Sequence, residues 1–198
     1  MSTTDYDKAD LQEAINTMRS GGIILYPTDT VWGIGCDATN SAAVSRIYNL
    51  KKRADSKSML VLTDSPSRIL NYVEYVPETA WQLISVTEGT ANPRPLTIIY
   101  PNAKNLASNL ISDDGSIGIR LTVEPYSKAL CMGFKLPIVS TSANISGQPT
   151  PASFDQISSE IKDGVDYICQ YRQNDAPTHS PSSIIKIFPD ESIKIIRM

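Results

Sequence analysis

The stretch YPTDTVWGIGCDATN, Tyr26 to Asn40, follows the apolar run GIILY and decides how the chain is read. A buried strand should end at Tyr26. Beyond it come a proline, two threonines around an aspartate, and two glycines flanking an isoleucine. Small hydroxyl residues and glycines at a strand end let backbone N–H groups approach a ligand closely, which bulkier residues would prevent.

Outward from this stretch, amphipathic and alternating segments take turns. Upstream, KADLQEAINTMRSGG places Leu11, Ala14, Ile15 and Met18 on one helical face and stops at Gly21 and Gly22. Downstream, SAAVSRIYNLKKR predicts a helix over 41–53 with Ser41 as N-cap and Ala43, Val44, Ile47 and Leu50 facing inward. Strands are predicted at 59–63, 95–101, 116–121, 136–141, 165–170, 182–188 and 192–197, and helices over 77–86, 124–132 and 152–161. The pair SSIIKIF and SIKIIR, joined by Pro189, Asp190 and Glu191, reads as a terminal hairpin, so the sheet is partly antiparallel. The fold class is α+β: helices layered around one mixed sheet, in a single domain spanning 1–198.

Composition excludes several classes. Hydrophobic residues at 41% and charged residues at 20% are ordinary globular values, so the chain is neither disordered nor fibrous. No run approaches the ~20 apolar residues of a membrane span, and MSTTDYDKAD lacks a basic segment leading into an apolar one. A cytoplasmic protein is expected. Cys36, Cys131 and Cys169 are far apart with no C-x-x-C pair, and read as small buried residues rather than disulfide partners or zinc ligands. A net charge of −3 argues against wholesale coating of nucleic acid. The dense basic cluster is LKKRADSKS, which holds Lys51, Lys52, Arg53 and Lys57.

Two further segments share the opening stretch's character: SDDGSIGIR, leading to Arg120, and VSTSANISGQPTP, Val139 to Pro151. Three such segments beside one basic cluster point to phosphate binding without a Walker A loop, since no G-x-x-x-x-G-K-[ST] occurs. Plainer roles stand beside that reading. Ser, Thr, Asn and Gly also make turns, and Asn144 could be one of those. Lys51 and Arg53 could complement a helix dipole for ~0.3 to 1 kcal/mol. Arg120 could pair with Asp113 or Asp114. His179, the lone histidine, reads as a solvated loop residue.

Taken in order, YPTDTVWGIGCDA, Lys51-Lys52-Arg53, SIGIRL and STSANISGQPTP resemble the YrdC-type threonylcarbamoyl-AMP synthase family over roughly residues 8 to 188. The P-T-[DE]-T-x-[YW]-G-[IL]-G and S-A-N-x-S-G segments carry the resemblance together. It implies a twisted, mixed, largely antiparallel sheet with helices around a deep concave face, in the short form without an added C-terminal domain. It also implies condensation of L-threonine, bicarbonate and ATP to threonylcarbamoyl-AMP and pyrophosphate. A tRNA-modifying transferase complex would receive the product, and contact with tRNA belongs to the same picture. Magnesium would be held mainly by ATP, with no metal site of the protein's own.

Carried over position by position, the resemblance puts Thr30, Arg120 and Ser140 on threonine. Lys51 and Arg53 match a catalytic K-x-R element that holds phosphates, and Arg53, Lys57, Ser116, Ser142, Asn144, Thr150 and Ser182 surround ATP. The chain departs from the pattern at Ala54, where proline is common, and at Arg94, where glycine is typical. Ser183 and Lys186 stand where threonine and aspartate are frequent. The rival readings are a non-catalytic RNA-binding or ribosome-maturation module using the same concave face, and a carbamoyl-transfer module of the hydrogenase-maturation kind.

Overall fold

The computed structural model describes residues 6–53, 59–90, 94–176 and 181–198. Its elements, in chain order, are α1 (Lys8–Arg19), β1 (Ile24–Tyr26), β2 (Gly33–Gly35), α2 (Ser41–Leu50), β3 (Leu60–Thr63), α3 (Glu78–Glu88), β4 (Leu96–Tyr100), β5 (Ile117–Leu121), α4 (Pro125–Phe134), β6 (Ile138–Ser142), α5 (Ser159–Gly164), β7 (Tyr167–Ile168), β8 (Ser183–Ile187) and β9 (Ile193–Arg197). The strands form one sheet in the order β7-β1-β2-β6-β3-β5-β4-β8-β9. The pairs β1/β7, β3/β5 and β4/β8 are parallel and the other neighbours antiparallel. The mixed, largely antiparallel sheet with flanking helices is the one expected. The terminal hairpin is there too, closed where the Phe188 N–H donates to Ser192 O.

Local chemistry accounts for the elements and for where they differ from expectation. Helix α1 starts on Asp7, whose carboxylate accepts the Ala9 N–H at 2.8 Å, and buries the predicted Ala14, Ile15 and Met18. The cap of α2 is Asn40, not Ser41: Asn40 Oδ1 accepts the N–H groups of Ala42 and Ala43, and Ser41 is the first helical residue. That helix ends at Leu50, short of the predicted Arg53, because Lys52 turns to φ +49°. The helix expected over 152–161 is a short 3₁₀ turn, Phe154–Gln156, followed by α5, which Ser158 caps. Arg94 is not among the residues with positive φ, so the entry to β4 needs no glycine there.

Strand β2 is missing from the sequence reading. It is three residues long with glycine at both ends, a composition that weakens a strand and hides its period. Packing explains the glycines. A Cβ on Gly35 would stand 2.6 Å from the Tyr26 ring and 2.7 Å from the Val139 carbonyl oxygen. Only a bare backbone fits between β1 and β6.

Alternation along the strands sends side chains to two faces. Leu25, Val61, Ile98, Ile119, Val139, Ile185 and Ile187 pack with Val44 and Ile47 of α2 and Ala80 and Ile84 of α3. Ile24, Tyr26, Leu62 and Ile138 face the other way, against Ile15 and Met18 of α1 and Leu130 and Phe134 of α4. Burying each large aliphatic side chain contributes about 1.5–3 kcal/mol, so both faces are held firmly. On that second face the α1/α4 core reaches β1, β3 and β6 but no residue of β4, β5, β8 or β9. The corresponding positions of those four strands, among them Thr97, Arg120, Lys186 and Lys194, line an open concavity instead. All three cysteines are buried and unpaired, as expected, and burial pushes each thiol well above its ordinary range.

Candidate active site

The concavity has a volume of about 1080 Å³, room for more than one small substrate. Thr30, Arg120 and Ser140 all reach it, and all three are buried. Thr30 sits in a turn tied by hydroxyls: its N–H donates to Thr28 Oγ1 at 3.1 Å, the two Oγ1 atoms are 3.0 Å apart, and Thr28 Oγ1 donates to Val31 O at 2.7 Å. Arg172 anchors the turn from below through the Thr28 carbonyl. Gly33 makes room for the group, since a Cβ there would lie 3.2 Å from Thr28 Cγ2 and 3.5 Å from Ser140 Oγ.

Arg120 lies near the end of β5 with its guanidinium almost wholly buried, and Nη2 is 3.1 Å from Asp29 Oδ1. Its partner is therefore not Asp113 or Asp114. Asp114 is taken by Lys186 and by the Ser116 N–H and hydroxyl, and these hold its carboxyl down to about 2. Burial pushes the Asp29 carboxyl up, and the charge of Arg120 opposes the shift. Asp29 went unassigned in the sequence because its partner is far along the chain and no local pattern links them.

Arg53, Ser116, Ser142, Thr150 and Ser182, also predicted, line the cavity wall. Ser182 is buried, its hydroxyl 2.9 Å from Thr97 Oγ1 and its carbonyl accepting from Arg197 Nε at 2.9 Å. Arg197 and Lys194 also line the cavity, as does Lys186. The sequence signal for Lys194 was available: in SIKIIR it shares strand parity with Ile196, and both face the same wall.

Two predicted residues stand behind the wall. Lys51 is fully buried at the end of α2, and its ammonium donates to the carbonyls of Ser142 and, at 2.6 Å, Asn144. Burial and then the neighbouring Arg53 push it down to about 7. Asn144 spends its amide on Ile145 O and Gln148 O, at 3.1 and 2.8 Å. Together they fix the turn that presents Ser142. Lys57, Ala54 and His179 lie outside the described residues. Among the described residues no group of three potential metal ligands converges, and the carboxylates lining the cavity are Asp113 and Asp114.

Residues 16–198 match the Sua5_yciO_yrdC family (Telomere recombination). The chain belongs to this family. A threonylcarbamoyl-AMP synthase of Psychromonas ingrahamii is 34% identical over 155 residues, 78% of this chain and 80% of that one. Among solved structures, E. coli YciO superposes with a TM-score of 0.82 at 23% identity, covering 96% of this chain and 89% of that one. P. abyssi Sua5 complexed with L-threonine superposes at 0.80 and 23% identity, covering 91% of this chain. This chain spans about half of that longer protein, 52%. Both structural likenesses bear on the fold, which matches the family's mixed sheet and flanking helices. Within the described residues no helix is long and apolar enough to cross a membrane.

Proposed function

We propose that this protein condenses L-threonine, bicarbonate and ATP into threonylcarbamoyl-AMP and pyrophosphate. One observation carries the reading: a single cavity joins a buried floor of hydroxyls and one paired guanidinium to a wall bearing Arg53, Lys186, Lys194 and Arg197. A zwitterionic amino acid fits the first and a triphosphate the second. The relatives' shared name, threonylcarbamoyl-AMP synthase, supports the same assignment.

The chemistry asks for alignment more than for a base. Carbon dioxide from dehydrated bicarbonate adds to the threonine amine, a proton leaves, and a carbamate forms. A carbamate oxygen then attacks the α-phosphorus, and the bond to the bridging oxygen breaks to release pyrophosphate. In this reading Thr30, Arg120 and Ser140 hold threonine, with the planar fork of Arg120 on its carboxylate. Arg53, Ser116, Ser142, Thr150 and Ser182 surround the nucleotide, with Lys57 on the adjoining segment. Lys51 and Asn144 serve the reaction by fixing the Ser142 turn. Placing the carbamate in line with the leaving oxygen supplies the proximity term, and cations on the phosphates offset the charge that develops. Magnesium enters with ATP and carries part of the triphosphate charge. The product passes to a threonylcarbamoyl transferase complex acting on tRNA in the cytoplasm.

Purified protein incubated with ATP, magnesium, bicarbonate and threonine should release pyrophosphate only when threonine and bicarbonate are both present. Release that ignores either omission contradicts the assignment.

A further inference from the structure

Asp29 and Arg120 pose a question that threonine binding alone does not answer. Their side chains are 5% and 4% exposed, and removing two charges from water costs several kcal/mol per ion before their attraction returns any of it. An apolar pair would pack at less cost. Their geometry is not that of a well-matched structural bridge either. The contact is one Nη2 to Oδ1 approach of 3.1 Å, while both Asp29 oxygens and Arg120 Nε lack a directed hydrogen bond among the described residues.

Position shows what the carboxylate can influence. Arg120 lines the large cavity, whereas Asp29 does not; Asp29 lines a separate void of about 70 Å³ with Asp64, Ile119 and Leu121. Asp29 therefore touches the guanidinium without reaching a ligand in the cavity. A bare buried guanidinium would attract phosphate more strongly than a carboxylate, because Coulomb attraction scales with the charge of the anion. A cavity that must also admit a triphosphate then risks binding it the wrong way round. A fixed negative charge against Arg120 lowers the positive potential of the site, so the extra attraction a dianion gains over a monoanion shrinks and the paired N–H groups of the planar fork, which match a carboxylate, decide the preference.

We infer that Asp29 is the specificity-determining residue that makes Arg120 a carboxylate site and keeps phosphate away from it. The inference rests on the cavity's reading as a threonine site, and it assigns the sorting to charge rather than to shape. Substituting Asp29→Asn keeps the shape and removes the charge, while Asp29→Glu keeps the charge.

The test uses inorganic phosphate as the competing anion in the pyrophosphate-release assay. In the wild-type protein, phosphate should compete with ATP and not with threonine. In Asp29→Asn it should become competitive with threonine, with the ratio of threonine KM to phosphate Ki moving by roughly tenfold, and Asp29→Glu should restore the wild-type pattern. An unchanged pattern in Asp29→Asn overturns the inference, and so does phosphate competing with threonine in the wild type. Should Asp29→Asn not fold, the Arg120 side-chain N–H resonance of the wild-type protein decides: threonine should shift it and phosphate should not. A threonine-independent wild-type reaction with no shift on adding threonine would instead refute the proposed function itself.

Discussion

The floor and the wall of the cavity use positive charge in opposite ways. On the floor, Arg120 is buried on a central strand and compensated by an equally buried carboxylate. On the wall, Lys186, Lys194 and Arg197 come from the last two strands, and Lys186 leans on Asp114, whose side chain is 54% exposed. A buried pair fixes direction, because neither partner can be removed without stranding the other. Cations that reach solvent act mainly through charge and are screened by it. The difference suits the two ligands: a small zwitterion needs orientation, whereas a triphosphate brings charge to spare.

Truncation should separate the two regions most sharply. Arg120→Ala strands Asp29 as an uncompensated buried charge, so it should cost about 3–5 kcal/mol of folding stability in addition to threonine binding. Urea unfolding checks this, and an unchanged midpoint would mean the floor is not built on the pair. Arg53→Ala should spare stability, since a helix-end charge contributes at most ~1 kcal/mol, yet weaken ATP by about 1.5–3 kcal/mol through the loss of a charge-assisted hydrogen bond. Isothermal titration with ATP would expose the reverse outcome, in which the fold suffers and ATP does not. The smallest effect belongs to Asp114 and Lys186. The Asp114 carboxyl is held below its ordinary value of 3.8, down to about 2, so the pair's contribution is present above that ordinary value and lost as pH falls toward the lower one. Exposure limits it to ~0–1 kcal/mol, and Lys186→Met should flatten that part of the acid-unfolding curve. A curve left unchanged by Lys186→Met would remove the pair from the account.

Most of the architecture was legible because alternation is a local signal. The segments around Thr97, Ile119 and Ile185 show the period of two that sends one set of residues to the core and the other to the cavity. The terminal hairpin could be read from its turn. What escaped depends on contacts between distant segments. Gly33 and Gly35 look like a loop until Tyr26 and Val139 are seen to crowd the space a side chain would need. Lys51 looks like one of several surface cations, yet it turns inward to two carbonyls of the Ser142 turn. Asn40 and Ser41 are both good caps, and composition does not choose between neighbours. Arg120 was legible as a site residue, while Asp29 became visible only when the turn between β1 and β2 met the end of β5.

The most direct test of the account follows the carbon. With ¹³C-bicarbonate, threonine and ATP, the nucleotide product should have the mass of an adenylate joined to threonine through one labelled carbonyl. Omitting threonine should abolish it. Labelled bicarbonate that leaves no mark on a nucleotide product, or conversion of ATP to unmodified AMP or ADP alone, would contradict the claim that one cavity brings the amino acid and the triphosphate together.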